Sequence, residues 1–295
     1  MNRNYYQALI SMSMQQTDYT GEIAFVIQGS SFSIKTSGSG IISWGDGSQS
    51  SVSGSNVTTS HSYSEAGSHT LIFTGSFTNV MQVDATQAAK VTNVLSYSLP
   101  SLTSASEAFN NCVNASFDGG FVFGSSITNL FRCFNGCVGL DFTPTLPTGN
   151  VKNFSSCFKG CTGITVAAVL PSTVSSSSIS GVNLSYMYDG CTNLLSITSS
   201  HRKIVPNGKN MNYMFRNCSR LIADITDIVG EYSTTGITDS NSISADQTFY
   251  NCSNLTGQMY KWWNNATKFS SHSKCFYNCT NLSNYSSIPV GWKTS

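Results

Sequence analysis

The stretch Met214-Phe215-Arg216-Asn217-Cys218-Ser219-Arg220-Leu221 decides how this chain folds, because versions of it recur seven times. Every copy places an aromatic residue three positions before a cysteine. These pairs are Phe109 and Cys112, Phe134 and Cys137, Phe158 and Cys161, Tyr188 and Cys191, Phe215 and Cys218, Phe249 and Cys252, and Phe276 and Cys279. Successive repeat cysteines are 24 to 34 positions apart. Such a period is typical of arrays in which each unit buries its apolar face against the next.

Each repeat divides into two segments around its cysteine. Before the cysteine, apolar residues such as Leu130, Phe134 and Cys137 follow the i, i+4, i+7 spacing of a helix face. The preceding Asn129 fits either a helix start or an asparagine-lined turn. After the cysteine, short β-branched stretches such as Gly163-Ile164-Thr165-Val166 predict a strand. One helical segment and one strand per unit predict an α/β solenoid with a parallel sheet along one face.

The composition favours a protein that acts through shape and hydrogen bonding. Of the 295 residues, 40% are hydrophobic and only 10% are charged, with a net charge of +1. Typical soluble proteins have roughly 25% charged residues. This balance offers no basic surface for nucleic acid. The apolar runs are too short to predict membrane insertion, and the N-terminus lacks the apolar segment of a signal peptide.

The cysteines outside the repeat position predict buried thiols. Cys133, Cys157 and Cys275 each lie four residues before a repeat cysteine. Other copies place Ala108, Met187, Met214 and Thr248 in this slot. A position that accepts these types is a small buried slot, and free cysteine packs there as a small hydrophobe. We weigh a zinc site and structural disulfides as alternatives, and we expect free thiols and no metal.

The region before the repeats has its own pattern. Short alternating segments, such as the one from Ile23 to Ile27, predict strands. The motif Trp44-Gly45-Asp46-Gly47-Ser48, then His61-Ser62-Tyr63 and the stretch Gly67-Ser68-His69-Thr70 resemble the PKD family of Ig-like β-sandwiches. This resemblance implies structural roles for these residues. Asp46 beside His61 is readable as an acid–base pair, but we interpret it as a turn carboxylate that caps backbone amides.

The repeated phrase resembles the BspA-like leucine-rich repeats, including the variant first noted in mycoplasma lipoproteins, whose core is MFxxCxxL. Residues 214–221 match that core at every fixed position. The first copy departs from it, with Ala115 where the aliphatic residue belongs. The predicted fold class is therefore α+β: an N-terminal Ig/PKD-like β-sandwich followed by a right-handed leucine-rich-repeat-type α/β solenoid. The predicted boundaries are 1–17 for an N-terminal arm, 18–81 for the sandwich, 82–288 for the solenoid and 289–295 for a C-terminal cap.

The sequence predicts binding rather than catalysis. Its four histidines have no metal-ligand spacing, and no P-loop, dinucleotide fingerprint, nucleophile elbow or HExxH motif occurs. We expect no enzyme activity and no cofactor. The first hypothesis is a bacteriophage virion component, a fibre or a tail or head decoration, made in the host cytoplasm. The alternative is a bacterial or protist cell-surface adhesin, since BspA-like repeats are known for binding matrix proteins and host cells.

Three groups of residues are candidates for contacts with partners. By alternation along the predicted strands, the exposed sheet face presents Phe142, Thr165, Leu195, Ile222 and Thr256. The cluster Tyr260, Trp262 and Trp263 either stacks on sugar rings or fills space beneath the longest unit. The arm residues Tyr5, Tyr6, Leu9 and Ile10 are too apolar for a free tail, and we expect them to dock on other virion proteins or on a second copy. A host-surface protein or glycan is the expected partner of the repeats.

Overall fold

A computed structural model describes residues 19, 21–117, 123–147, 151–171, 174, 181–198, 203–204, 209–229, 243–259 and 262–294. Its strands are β1 Ile23–Ser43, β2 Gln49–Gln82, β3 Val91–Tyr97, β4 Ser116–Phe117, β5 Val166–Ala167, β6 Ser196–Ile197, β7 Ile243–Ser244 and β8 Phe269–Ser271. Its helices are α1 Ala85–Ala88, α2 Ile225–Ile228 and α3 Val290–Lys293, with 3-10 helices at Trp262–Lys268 and Tyr285–Ser287. The chain is mainly β, because its described helices span one or two turns each.

The N-terminal strands form one sheet in the order β2-β1-β3-β4. Alternate residues of β1, such as Ile23, Phe25 and Ile27, face the core and are buried, which is the period-2 pattern of a strand. Ile23 lies opposite both Phe73 of β2 and Tyr97 of β3. The second half of β1 pairs with two different parts of β2, so both long strands bend sharply.

Glycines allow two segments of these strands to pair closely. A Cβ atom on Gly75 would lie 2.7 Å from the Cα of Gly40, so the two backbones approach closer than side chains allow. Gly75 also has a φ of 122°, which favours glycine. The two segments can therefore pair closely within one sheet.

The predicted fold class, α+β with an Ig/PKD-like β-sandwich and a right-handed α/β solenoid, is therefore wrong. The N-terminal strands belong to a single open sheet, and a mainly β chain replaces the alternation of helices and strands. The parallel sheet expected along the repeats is reduced to short pieces. For example, β5 and β6 pair over two residues, with Val166 opposite Ser196.

The segment before each repeat cysteine is a series of turns rather than the predicted helix. The residue five positions before the cysteine and the residue directly before it both have positive φ. These pairs are Glu107 and Asn111, Arg132 and Gly136, Ser156 and Gly160, Tyr186 and Gly190, Tyr213 and Asn217, Gln247 and Asn251, and Lys274 and Asn278. A right-handed helix cannot pass through left-handed residues. The apolar residues at i, i+4 and i+7 are therefore brought to the core by successive turns and not by a helix.

Alternate amides in this segment connect one repeat to the next. The amides of Phe215 and Asn217 donate to the carbonyls of Thr248 and Tyr250 in the following repeat, both at 2.8 Å. The amide of Cys218 instead stays within its own repeat. It closes a turn by donating to the carbonyl of Phe215 at 3.1 Å. Stacking of the repeats thus satisfies half of the backbone donors that a helix would satisfy internally.

Two buried columns run through the stacked repeats. The aromatic rings from Phe109 to Phe276 stack with centroids 5.3 to 5.8 Å apart and planes within 19° of parallel. Beside them lie the repeat cysteines, whose predicted burial is confirmed. From the second copy on, each thiol donates to the carbonyl of the aromatic residue one repeat earlier, at 2.9 to 3.1 Å. The columns therefore combine apolar burial with a directional bond at each step.

The N-terminal sheet and the first repeat share this core. The buried side chains of Asn79 and Gln82 at the end of β2 donate to the carbonyls of Ser106 and Ala108 at 3.3 and 3.0 Å. They take the place of a preceding repeat, and the core is continuous from Ile23 to Trp292. The boundaries at 17, 81 and 288 stay predictions, and the arm at 1–17 lies outside the described residues.

The ten cysteines are free and buried. Burial raises the pKa of every one of these thiols, to about 12 for Cys279. A group whose pKa lies well above the pH of the medium stays protonated, and the thiolate is the reactive form. The folded protein therefore holds its thiols in the unreactive protonated form.

We expect almost none of the thiols of native protein, prepared without reductant, to react with an aromatic disulfide reagent at neutral or mildly alkaline pH. After unfolding in concentrated guanidinium chloride, ten thiols per chain should react. Absorbance of the released thiolate measures both numbers. Fewer than ten in the unfolded state would reveal disulfides and contradict the packing described above.

The left-handed residues give a second prediction. Gly190 has a φ of 76°, and a Cβ there would find only ordinary contacts, 3.9 Å from the Cα of Gly160. Gly190→Val should therefore lower the free energy of unfolding through backbone strain alone, by about 2 kcal/mol. Gly190→Asn is the matched control and should cost less than about 1 kcal/mol, since asparagine tolerates this conformation. Denaturant unfolding measures both, and equal losses for the two variants would contradict the assignment.

Candidate recognition surface

Three predicted surface residues lie side by side across consecutive repeats. The amide of Leu195 donates to the carbonyl of Thr165 at 2.8 Å, and the amide of Ile222 donates to the carbonyl of Leu195 at 2.7 Å. Thr165 is exposed, Leu195 is half-buried, and Ile222 has 64% of its surface exposed. We call these three residues the exposed row. Backbone bonds fix their spacing, so the row is a rigid strip along the array.

The two other residues of the predicted sheet face do not continue this row. Thr256 is exposed, but its amide donates to the carbonyl of Ala223 at 2.9 Å, and it lies opposite Asp224. Thr256 is therefore out of register with the row, because its amide bonds to the residue after Ile222 and not to Ile222 itself. Phe142 is half-buried and packs against the core, so its ring serves the interior more than the surface.

The aromatic cluster near residue 262 is mostly interior. Trp262 is fully buried, with ring centroids 5.5 Å from Phe269 and 6.1 Å from Phe276. Trp263 is half-buried against the core. The cluster was interpreted either as a sugar-stacking site or as filling of the interior, and the buried ring of Trp262 fits the second interpretation. Tyr260 lies outside the described residues, as do Tyr5, Tyr6, Leu9 and Ile10.

Sequence reasoning missed a second surface, formed by the turn segments. Arg216 donates from Nε and Nη2 to the two carboxylate oxygens of Asp189, both at 2.8 Å, and Lys159 Nζ lies 3.5 Å from the same carboxylate. The pKa of Arg216 is raised, chiefly by its hydrogen bond to Asp189. All three residues occupy the position two before the repeat cysteine in consecutive copies. That recurrence of alternating charge was the signal in the sequence.

Two stacked pairs of tyrosine rings extend this surface. Tyr186 and Tyr213 stack with centroids 4.5 Å apart, and the Arg216 guanidinium lies 4.7 Å from the centre of the Tyr213 ring. Tyr250 and Tyr277 stack at 4.6 Å. Like residues at equivalent positions thus pair between neighbouring repeats, which keeps the surface in regular columns.

The turn around Asp46 is held by hydrogen bonds to its carboxylate. Asp46 accepts from the amide of Ser48 at 2.9 Å, from the hydroxyl of Ser48 at 2.6 Å and from Nε2 of His61 at 2.8 Å. The bonds from Ser48, followed by the one from His61, lower the pKa of Asp46 well below its usual range. His61 also stacks on Trp44, with centroids 5.0 Å apart. The carboxylate therefore caps the turn, as interpreted from the sequence, and pairs with His61 as well.

Space for a small ligand is limited beside the row. A cavity of about 240 Å³ is lined by residues 143–146, residues 167–171 and Thr198, and most of its lining is apolar. Pockets for drug-sized molecules and cofactors are usually about 300 Å³ or larger.

Within the described ranges, histidine, cysteine and acidic side chains do not gather in groups of three that would hold a metal ion. Every described helix is too short to cross a bilayer.

The sequence matches the family described as "Mycoplasma protein of unknown function, DUF285" over residues 103–226 and 152–288. Together these overlapping matches cover more than half of the chain, and they are consistent with the resemblance to BspA-like repeats. The region resembling PKD domains, 18–81, lies outside them. No curated protein matches the chain, and no solved structure matches it. The chain therefore belongs to the DUF285 family of repeat proteins, whose function is unknown.

Proposed function

We propose that this chain is a non-enzymatic binding protein and that it serves as a component of a bacteriophage particle, in a fibre or in a tail or head decoration. The observation that carries the binding function is the exposed row. Thr165, Leu195 and Ile222 are held in line by backbone hydrogen bonds of 2.7 to 2.8 Å. A surface fixed in this way loses little conformational entropy when a partner binds.

The apolar content of the row suits a protein partner on a host surface. Ile222 exposes 64% of its surface, and Leu195 beside it is half-buried. Neighbouring apolar side chains framed by threonine resemble the centre of a protein interface, where apolar contacts supply affinity and polar neighbours exclude water. A host-surface glycan is a further partner class for the turn surface.

The state of the reactive side chains supports binding over catalysis. The ten thiols are buried, with pKa values raised by that burial. The carboxylates of Asp46 and Asp189 are each engaged by several donors that hold local structure. Groups committed to structural bonds are poorly placed to act as nucleophiles or bases.

The thiols also support a particle assembled in the cytoplasm. A reducing compartment preserves ten free cysteines during synthesis, whereas exported proteins usually form disulfides. We propose that the arm, through Tyr5, Tyr6, Leu9 and Ile10, attaches the chain to other particle proteins or to a second copy. The repeats would then point away from the particle.

One observation favours a second function. The family is described from Mycoplasma, a cellular organism, which supports a cell-surface adhesin. In that case the same row would bind a host protein, and the arm would have no particle to join.

Attachment through the arm is tested in particles. Phage particles assembled in cells that express either the full chain or a chain lacking residues 1–17 are purified and analysed by mass spectrometry. We expect the full chain at constant copy number and the truncated chain to be absent, while circular dichroism shows that the truncated chain is folded. Normal incorporation of the truncated chain, or full-length protein found only on the surface of uninfected cells, would overturn the virion assignment.

Recognition by the exposed row is tested with Ile222→Glu. The side chain is already 64% exposed, so the variant should fold, but a charge at the centre of an apolar contact should weaken binding to host cells by about tenfold. Val113→Glu is the matched control, since Val113 is an exposed aliphatic residue of the first repeat outside the row. Binding of fluorescently labelled chain to cells measures both. If the two variants bind like the parent, the row is not the recognition surface.

A further inference from the structure

Two side-chain ladders on the turn surface end at the last repeat. In the first, the amide nitrogen of Asn251 donates to Oδ1 of Asn217 at 3.0 Å, and the amide nitrogen of Asn278 donates to Oδ1 of Asn251 at 3.3 Å. Asn251, in the middle, thus donates to the preceding copy and accepts from the copy that follows. Asn278 belongs to the last copy, so its Oδ1 faces the position where another repeat would stand.

The second ladder ends in an open aromatic ring. Tyr277 stacks on Tyr250 with centroids 4.6 Å apart and planes 12° from parallel. Tyr250 lies on the side of the preceding repeat, so the opposite face of Tyr277 points the same way as Oδ1 of Asn278. Among the aromatic residues that the structure describes, Tyr277 alone is exposed, with 38% of its surface accessible.

The C-terminal segment closes the core but leaves this corner open. Trp292 is buried and stacks on Phe276 at 6.1 Å, and its carbonyl accepts from the amide of Phe276 at 2.9 Å. The segment therefore replaces the next repeat over the apolar column. The hydroxyl of Tyr285 bonds to the backbone of Asn278, and Tyr277 and Asn278 stay exposed beside it.

We propose that Tyr277 and Asn278 form a binding site for a pyranose residue of a glycan. The apolar C–H face of the sugar would stack on the open face of Tyr277. A sugar hydroxyl would donate to Oδ1 of Asn278, which accepts two hydrogen bonds. This site deepens the proposed function, because it places the glycan contact of the turn surface at two named residues, and it rests on that binding function. It replaces the predicted role of Trp262, whose ring is buried.

The experiment uses the full chain and a panel of methyl pyranosides of glucose, galactose, mannose and N-acetylglucosamine. Saturation-transfer NMR identifies the sugars that bind, and calorimetry gives their affinity. We expect Tyr277→Ala to weaken binding by at least about tenfold. Tyr277→Phe keeps the ring and should stay within about twofold of the parent. Asn278→Ala should weaken binding several-fold, through loss of the acceptor.

Tyr213→Ala is the matched control. Tyr213 belongs to the other tyrosine pair, in the middle of the array, where Tyr186 of the preceding repeat and Arg216 of its own repeat contact its ring. This variant should bind sugar like the parent. Circular dichroism and thermal unfolding establish that all variants are folded.

Three results would overturn the proposal. These are binding of no sugar in the panel, undiminished binding by Tyr277→Ala, and a concentration-dependent dimer that disappears in Tyr277→Ala, which would make the patch a protein contact. Cell binding that still depends on Ile222 would leave the proposed function standing in each case. Failure of the sugar site and failure of the binding function are therefore distinguishable.

Discussion

The repeats depend on the main-chain carbonyl of each repeat aromatic residue except the last, which accepts two hydrogen bonds at once. The carbonyl of Phe215 accepts from the amide of Cys218 in its own turn and from the thiol of Cys252 in the next repeat, at 3.1 and 3.0 Å. A carbonyl oxygen has two lone pairs, so both bonds form without competition. The first bond closes the turn, and the second ties that turn to its neighbour. Cysteine suits this position because it is small and apolar yet still donates.

This constraint sets the geometry of everything outside it. Once each turn is fixed to the next, equivalent residues of the turn segments fall in columns. Inside, the columns are the stacked rings and the thiols. Outside, they are the exposed row and the ladders that end at Tyr277 and Asn278. A low charge content is compatible with such a surface, because hydrogen bonds and stacked rings connect the repeats. The Asp189–Arg216 pair is one charged step in a largely neutral array.

An array of this kind needs its ends closed, and the two ends are closed differently. At the start, the amides of Asn79 and Gln82 meet carbonyls of the first repeat. At the finish, Trp292 covers the apolar column with its ring and accepts one amide with its carbonyl. The first closure is polar and the second largely apolar. Hydrogen-bond donors close the start and an acceptor closes the finish, because backbone carbonyls face the first end of the array and backbone amides face the last.

The sequence by itself determined that the repeat aromatic residues and cysteines are buried, because the period of the repeat and its apolar positions encode this. The burial of the repeat cysteines and the alignment of Thr165, Leu195 and Ile222 follow from that pattern. The asparagine or glycine before every repeat cysteine, such as Asn217 and Gly190, was the available sign of a turn, but the helix-like spacing concealed it. Only the tertiary structure decided the backbone conformation, since left-handed residues are held in place by hydrogen bonds to the neighbouring repeat. It also decided which rings are covered, because the exposure of Tyr277 and the burial of Trp262 depend on where the C-terminal segment packs.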